Sequence, residues 1–160
     1  MDTNLHIPEF EQMMVNTNLE DVYLNQLFDI YHQQLLGNSD AQIKLARRGI
    51  SEQMIEQHQL GHCNRTLHHY VDDADTVDGG GFRGTLQSLA LIKPETGHEL
   101  LRGCIIEPLL NEEGNIVAAC GIKLICPSRP APRIIQWFRY KHYPFAVQFQ
   151  LMTWGKRYVH

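Results

Sequence analysis

Three groups of side chains in this 160-residue sequence have the composition of a reactive or binding site. The first is Tyr70-Val71-Asp72-Asp73 with Asp75 two residues on. Paired carboxylates on a turn between two strands, met by another from a distant strand, can hold divalent cations for phosphoryl transfer. Here the acids run straight into Gly79-Gly80-Gly81, which predicts a solvated acidic loop instead. The second group, His58, His62, Cys63, His68 and His69, offers imidazole and thiol donors. Its spacing matches no standard pair of zinc-ligand knuckles, and nothing marks a base oriented by a third group for a Cys-His nucleophile. No metal and no cofactor are expected. The third group combines Arg129, Arg133, Arg139, Lys141, Lys156 and Arg157 with Trp137, Phe138, Tyr140, Tyr143, Phe145, Phe149, Trp154 and Tyr158, eight of the 14 aromatic residues. Cations along a groove with exposed rings bind single-stranded nucleic acid, each stacked base contributing about 1–3 kcal/mol. The same rings could instead form the core of a small sheet, above all Phe145, Phe149 and Trp154.

The charge distribution sharpens the third group. Residues 1–113 hold all 18 acids and seven of the 14 Lys and Arg, a net of −11, whereas residues 114–160 hold the other seven cations and no acid, a net of +7. Such asymmetry calls for an anionic partner, which is either a nucleic acid or the chain's own acidic half. The length and the 43% apolar content predict one domain, residues 1–160, with one core. Four widely spaced cysteines and the lack of a basic-then-apolar leader predict reduced thiols and a cytoplasmic location. No apolar run approaches the roughly 18 residues that a membrane span needs, so a soluble chain is expected.

These side chains have to be positioned by three successive parts. Residues 1–61 read as helices. Asn18 can cap the first, along which Leu24, Leu27, Phe28, Tyr31 and Leu35 recur at helical spacing up to Gly37. Ser39 can cap a second helix, Gly49 suits its left-handed end, and Ser51 can cap a third that ends near Gly61. Residues 62–97 are irregular and include the glycine-rich loop, with a short apolar segment at 86–92 that leans to helix. Residues 98–160 form a β-rich basic part: 100–110 and 115–126 flank a hairpin loop at Asn111-Glu112-Glu113-Gly114, and 133–139 and 145–154 read as further strands. The fold class is α+β, N-terminal helices followed by a small, mainly antiparallel sheet.

Four stretches in order resemble one known family. The helix Leu27-Phe28-Asp29-Ile30-Tyr31-His32-Gln33-Gln34-Leu35-Leu36 is followed by Ala46-Arg47-Arg48-Gly49-Ile50-Ser51 and then by Leu60-Gly61. The hairpin adds Leu101-Arg102, Ile105-Ile106-Glu107-Pro108-Leu109 and Glu113-Gly114-Asn115-Ile116-Val117. Together they are similar to the N-terminal, pre-Toprim portion of the DnaG-type bacterial primase core over residues 20–126. The resemblance implies a scaffold that handles template DNA through basic residues, with Arg47, Arg48, Arg102 and Lys123 as candidates here. Arg47 and Arg48 are equally placed to satisfy a helix dipole. Arg102, within apolar sequence, needs either a phosphate or a carboxylate such as Glu99 or Glu107.

Departures narrow what the resemblance implies. The family signature's second arginine falls at Cys104, its aromatic before the proline at Glu107, and Lys123 lies one residue beyond the expected arginine, matching only if the strand is bulged. The family's Toprim glutamate and Asp-x-Asp pair have no counterpart after Glu113, and neither has the preceding zinc module. Catalysis by this chain alone is therefore not expected. The leading expectation is a non-catalytic, primase-core-like protein of replication or mobile-element maintenance that binds single-stranded or template DNA. Its candidate contacts are Arg47, Arg48, Arg102, Lys123, Arg129, Arg133, Trp137, Arg139, Tyr140, Lys141, Lys156 and Arg157. The alternatives are a regulatory subunit that keeps the scaffold and docks on a helicase, a recombinase or a catalytic primase subunit, and one part of a split primase.

Overall fold

The apolar stripe Leu24, Leu27, Phe28, Tyr31 and Leu35 is buried along α1 (Pro8–Leu36), none of the five being more than 5% exposed. The computed structural model describes residues 8–64, 67, 77–123, 134–140 and 149–152, with the backbone alone for 8–18 and 77–80. α1 starts well before Asn18, which lies inside the helix and does not cap it. Pro8 suits a first turn, where its missing N–H has no partner to lose, and the Glu, Gln and Met residues that follow are strong helix formers. At the other end the Gln42 amide donates to the Leu35 and Leu36 carbonyls at 2.9 and 2.8 Å, satisfying two acceptors that the helix leaves open.

That glutamine belongs to α2 (Ser39–Arg47), whose cap is Asn38 and not Ser39: the Asn38 side chain accepts from the Ala41 N–H at 3.1 Å. Gly49, at φ +81°, ends the helix in the left-handed region, where glycine carries no Cβ penalty. Ser51 then accepts from the Met54 N–H and starts α3 (Glu52–Gln57), as the Arg-Gly-Ile-Ser stretch predicts. α3 is short, and the chain turns through Gln59, at φ +50°, before reaching Gly61.

The largest departure from expectation is α4 (Val77–Ser88), which runs through Gly79-Gly80-Gly81. Glycine weakens a helix by about 1 kcal/mol per residue, but packing overrides propensity when an apolar face is buried. Phe82 and Leu86 supply that face at 3% and 0% exposure, and Gly81 leaves room for Tyr23, whose hydroxyl would lie 2.9 Å from a Cβ there. Tyr23 and Phe82 meet with ring centroids 5.6 Å apart. Of the apolar segment 86–92, only the first part is helical; Ile92 forms a bridge with Glu99.

Four strands, β1 (Gly61–His62), β2 (Cys104–Leu110), β3 (Ile116–Lys123) and β4 (Ile134–Phe138), make one antiparallel sheet in that order. The β2–β3 hairpin has the expected loop, drawn together by the Asn111 side chain, which accepts from the Glu113 and Asn115 N–H groups. Alternation sends Cys104, Ile106, Ala119 and Trp137 toward α1 and α4. Ile105 and Ile122 face the other way, against Leu45, Ile50 and Ile55 of the α2–α3 unit, and Ala118 and Cys120 meet Phe149. Residues 150–152, expected within a strand, are helical; Phe149 is fully buried, as its reading as a core ring requires.

β1 lies so close to α1 that only glycine fits at position 61. A Cβ there would stand 2.7 Å from the Tyr31 Cβ and 2.8 Å from the Tyr31 backbone carbon. The same junction carries the Tyr31 hydroxyl, which donates to Glu99 Oε1 at 2.6 Å, and His32 Nδ1, which donates to the Leu60 carbonyl at 2.7 Å. Because the obstacle is backbone, Gly61→Ala is expected to lower the unfolding free energy by about 2–3 kcal/mol in urea denaturation. An unchanged midpoint would show that the helix and strand can part without cost.

Candidate nucleic-acid interface

The hairpin register decides where the candidate cations lie. Lys123 pairs with Cys104 at the open end of the hairpin, and Arg102 sits two residues before Cys104 in the turn that leads into β2, half-buried and not inside a strand. A β-bulge falls between Leu109 and Leu110, where Val117 is the extra residue of β3, so Lys123 stands opposite Cys104, the place that residue 122 would take in an unbulged hairpin. Arg102 contacts neither carboxylate proposed for it in the sequence. Its guanidinium points to His98 Nδ1 at 3.3 Å, while Glu99 is held by Tyr31 and Glu107 by the backbone at Gln150 and Leu151.

The α2–α3 unit brings a second set of cations to the same end of the hairpin. Its packing partners on the sheet, Ile105 and Ile122, are the next pair after Cys104 and Lys123. Arg47, in the last turn of α2, and Arg48, its C-terminal cap, are exposed. Lys44, one turn earlier, shares their side of the helix by its i, i+3 and i, i+4 spacing. Sequence reasoning missed Lys44 although that spacing was the available signal. Its charge reaches His62, whose pKa is lowered first by burial and then by Lys44, and His62 pairs with Ile105. Among the described residues, Lys44, Arg47, Arg48 and Lys123 have no ion-pair partner.

Two residues nominated from the C-terminal group belong to the interior. Trp137 is 4% exposed, its indole donates to the Leu89 carbonyl at 2.8 Å, and its ring lies against Phe28. The Arg139 side chain, 4% exposed, meets Glu20 at 2.7 Å and Asp21 at 2.6 Å and also donates to the Ile116 carbonyl. Burial lowers the Arg139 pKa, but the hydrogen bonds it donates to Asp21 and Glu20 more than offset this, so the net direction is up. This corrects the expectation of a stacking tryptophan beside a phosphate-binding arginine: the anionic partner of Arg139 is the chain's own acidic part. Tyr140 stays 54% exposed, under the Arg139 guanidinium at 5.5 Å. It stands beside the Val117 end of β3, six residues or about 20 Å from Lys123 at the usual strand rise. Arg129, Arg133, Lys141, Lys156 and Arg157 lie outside the described residues.

The other candidate chemistries find no support among the described residues. No group of three or more His, Cys, Asp or Glu there could hold a metal ion. Cys63, Cys104 and Cys120 are buried thiols, and burial pushes the Cys104 and Cys120 thiols up to about 11 and about 12, the reverse of a nucleophile. Tyr70, Asp72, Asp73, Asp75, His68 and His69 lie outside the described residues. No described helix is long and apolar enough to cross a membrane.

Solved structures with this arrangement of helices and hairpin are primase cores. The DnaG primase catalytic domain bound to single-stranded DNA superposes with a TM-score of 0.61 at 16% identity, covering 76% of this chain and 39% of its own. The fold is that of a DnaG-type primase core. The Aquifex aeolicus primase, with zinc-binding and RNA polymerase domains, gives 0.59 at 20% identity over 74% of this chain and 29% of its own. The RNA polymerase domain of Mycobacterium tuberculosis DnaG in complex with double-stranded DNA gives 0.59 at 11% identity, over 75% and 38%. The primase-like chain thus spans well under half the length of these structures. No protein-family model and no curated protein matches it.

The Arg139 cluster of this primase-like fold makes a direct prediction. Arg139→Ala leaves two carboxylates facing each other beside the sheet, and should lower stability by about 3 kcal/mol in chemical denaturation. Arg139→Lys should recover only part of that, because one ammonium cannot serve both carboxylates as the guanidinium fork does. Wild-type stability in the alanine variant would contradict the pairing.

Proposed function

We propose that the chain is a non-catalytic, primase-core-like protein that binds single-stranded or template DNA in replication or mobile-element maintenance. The observation that carries this reading is a set of cations at one end of the hairpin, Lys123 and Arg102 at its open end and Lys44, Arg47 and Arg48 on the α2–α3 unit that packs on the neighbouring pair Ile105 and Ile122, on a fold whose solved counterparts include cores bound to single- and double-stranded DNA. Cations without carboxylate partners are free to exchange condensed counter-ions for phosphates, and that exchange drives non-specific binding. Residues 114–160 hold no Asp or Glu, so none of them can supply a carboxylate for catalytic magnesium.

A second reading is a subunit of a split or regulated primase that docks on a helicase, a recombinase or a catalytic primase partner. It is favoured by β4, the last strand of the sheet among the described residues, where Ile134 and Phe138 are 42% and 37% exposed. DNA binding and docking are compatible, so the test addresses the cations.

Fluorescence anisotropy with a labelled single strand across a salt series measures them. Binding should weaken linearly in log–log form as salt rises. Arg47→Ala, Arg48→Ala and Lys123→Ala together should reduce the slope by about 2, at roughly 0.7 per lost phosphate contact. Absence of binding below about 100 mM salt would overturn the DNA reading, since electrostatic binding is tightest there. Binding with an unchanged slope in the triple variant would move the interface elsewhere.

A further inference from the structure

We propose that Arg83, Lys93, His98 and Arg102 form a phosphate-binding site over the turn at residues 93–98, and that a phosphate of the bound DNA strand occupies it. The turn closes a short ladder. Ile92 bridges Glu99, the Lys93 N–H donates to the His98 carbonyl at 2.9 Å, and the Gly97 N–H donates to the Lys93 carbonyl at 2.7 Å. Residues opposite each other in a ladder send their side chains to one face, and the next pair sends its own to the other. Ile92 and Glu99 are buried, so Lys93 and His98 stand together on the outer face, where both are exposed.

Guanidinium groups reach this turn from two other parts of the chain. Arg102 Nη1 lies 3.3 Å from His98 Nδ1. A guanidinium only donates, so Nδ1 is the acceptor and the imidazole keeps Nε2–H as its outward donor. Arg83, exposed on α4, has its Nη2 3.3 Å from where a Cβ would stand on Gly97, whose φ is +71°. Glycine at that position both adopts the left-handed backbone and leaves the Arg83 fork its place. The two forks therefore meet consecutive residues of one turn, Gly97 and His98, with Lys93 across the ladder.

Like charges so placed repel, and an anion among them relieves the repulsion. The chain supplies none in contact. Glu99, adjacent to His98 in sequence, is drawn inward, where its Oε1 accepts from the Tyr31 hydroxyl at 2.6 Å. Glu95, the acid within the turn, makes no ion pair among the described residues, and neither do Arg83, Lys93 and Arg102. A phosphate suits the vacancy in charge, because arginine forks donate in parallel pairs to its oxygens and the imidazole Nε2–H and the Lys93 ammonium add further donors. Arg102 also stands beside the open end of the hairpin with Lys123, so one strand can lie across both places. For its ligand the site rests on the DNA reading, but Arg83, Lys93 and His98 are additional to the cations that carry that reading.

The test is an anisotropy salt series on the full chain and its Arg83→Ala, Lys93→Ala double variant, whose side chains are exposed and leave the core untouched. Single strands with and without a 5′-phosphate serve as probes. The log–log slope should fall by about 0.7 in the variant, the loss of one phosphate contact. A fall with both strands assigns an internal phosphate to the site, and a fall with the phosphorylated strand alone assigns the terminal one. A slope unchanged with both overturns the site and leaves the DNA reading standing. If the wild-type chain binds neither strand, the DNA reading fails, and inorganic phosphate titrated into the labelled protein by NMR decides the site. Saturable shifts at the Gly97 amide and the His98 ring that the double variant lacks would then uphold it; no shift, or the same shift in the variant, would overturn it.

Discussion

The contact on which the rest of the structure depends is between two backbones, that of α1 at Tyr31 and that of β1 at Gly61. No side chain separates them, so the sheet cannot slide along the helix without lifting off it. The hydrogen bond from His32 to the Leu60 carbonyl and that from Tyr31 to Glu99 lock the same junction from both sides. Burial raises the Tyr31 hydroxyl well above its ordinary value, which keeps it a donor to Glu99. Once β1 is fixed, its pairing with Ile105 and Ile106 sets the register of β2, and β2 sets the hairpin. The α2–α3 unit, strung between α1 and β1, then has one place to lie, over Ile105 and Ile122. The positions of Arg47, Arg48 and Lys44 over the hairpin's open end follow from a glycine some distance away in sequence.

Charge is used in two ways in this molecule. The separation of an acidic from a basic part leaves two kinds of anion available to the cations. Arg139 takes the internal choice, tying β4 to α1 through Glu20 and Asp21, and its burial makes that pairing structural. Lys44, Arg47, Arg48 and Lys123 lie in solvent, where ion pairs contribute little and counter-ions exchange freely. Chain-level charge asymmetry cannot distinguish these outcomes; depth of burial does.

Much of this was legible in the sequence, and what was not has identifiable causes. The α1 stripe, Gly49, the Ser51 cap and the hairpin depend on local rules of spacing, chirality and turn chemistry, and each lies where those rules place it. The glycine triplet was misleading because its helix is held by Phe82 and Leu86 against distant parts of the chain, a tertiary effect that propensity does not contain. Trp137 and Arg139 were placed on a binding face because aromatic and basic residues read alike whether they face DNA or the core; only their contacts with Leu89, Glu20 and Asp21 tell the two apart. Glu107 was visible as an acid in an apolar run, but its partners lie more than 40 residues away in sequence, beyond the reach of any local pattern.

The central claim is that the open end of the β2–β3 hairpin, and not the aromatic strand β4, faces nucleic acid. Mapping an unlabelled single-stranded oligonucleotide onto the isotope-labelled protein by NMR addresses it directly. The account predicts shift changes at the amides of Arg47, Arg48, Arg102 and Lys123, with the Trp137 indole N–H unmoved in its bond to Leu89. A response centred on the Trp137 indole and Tyr140, with the open end of the hairpin silent, would contradict it.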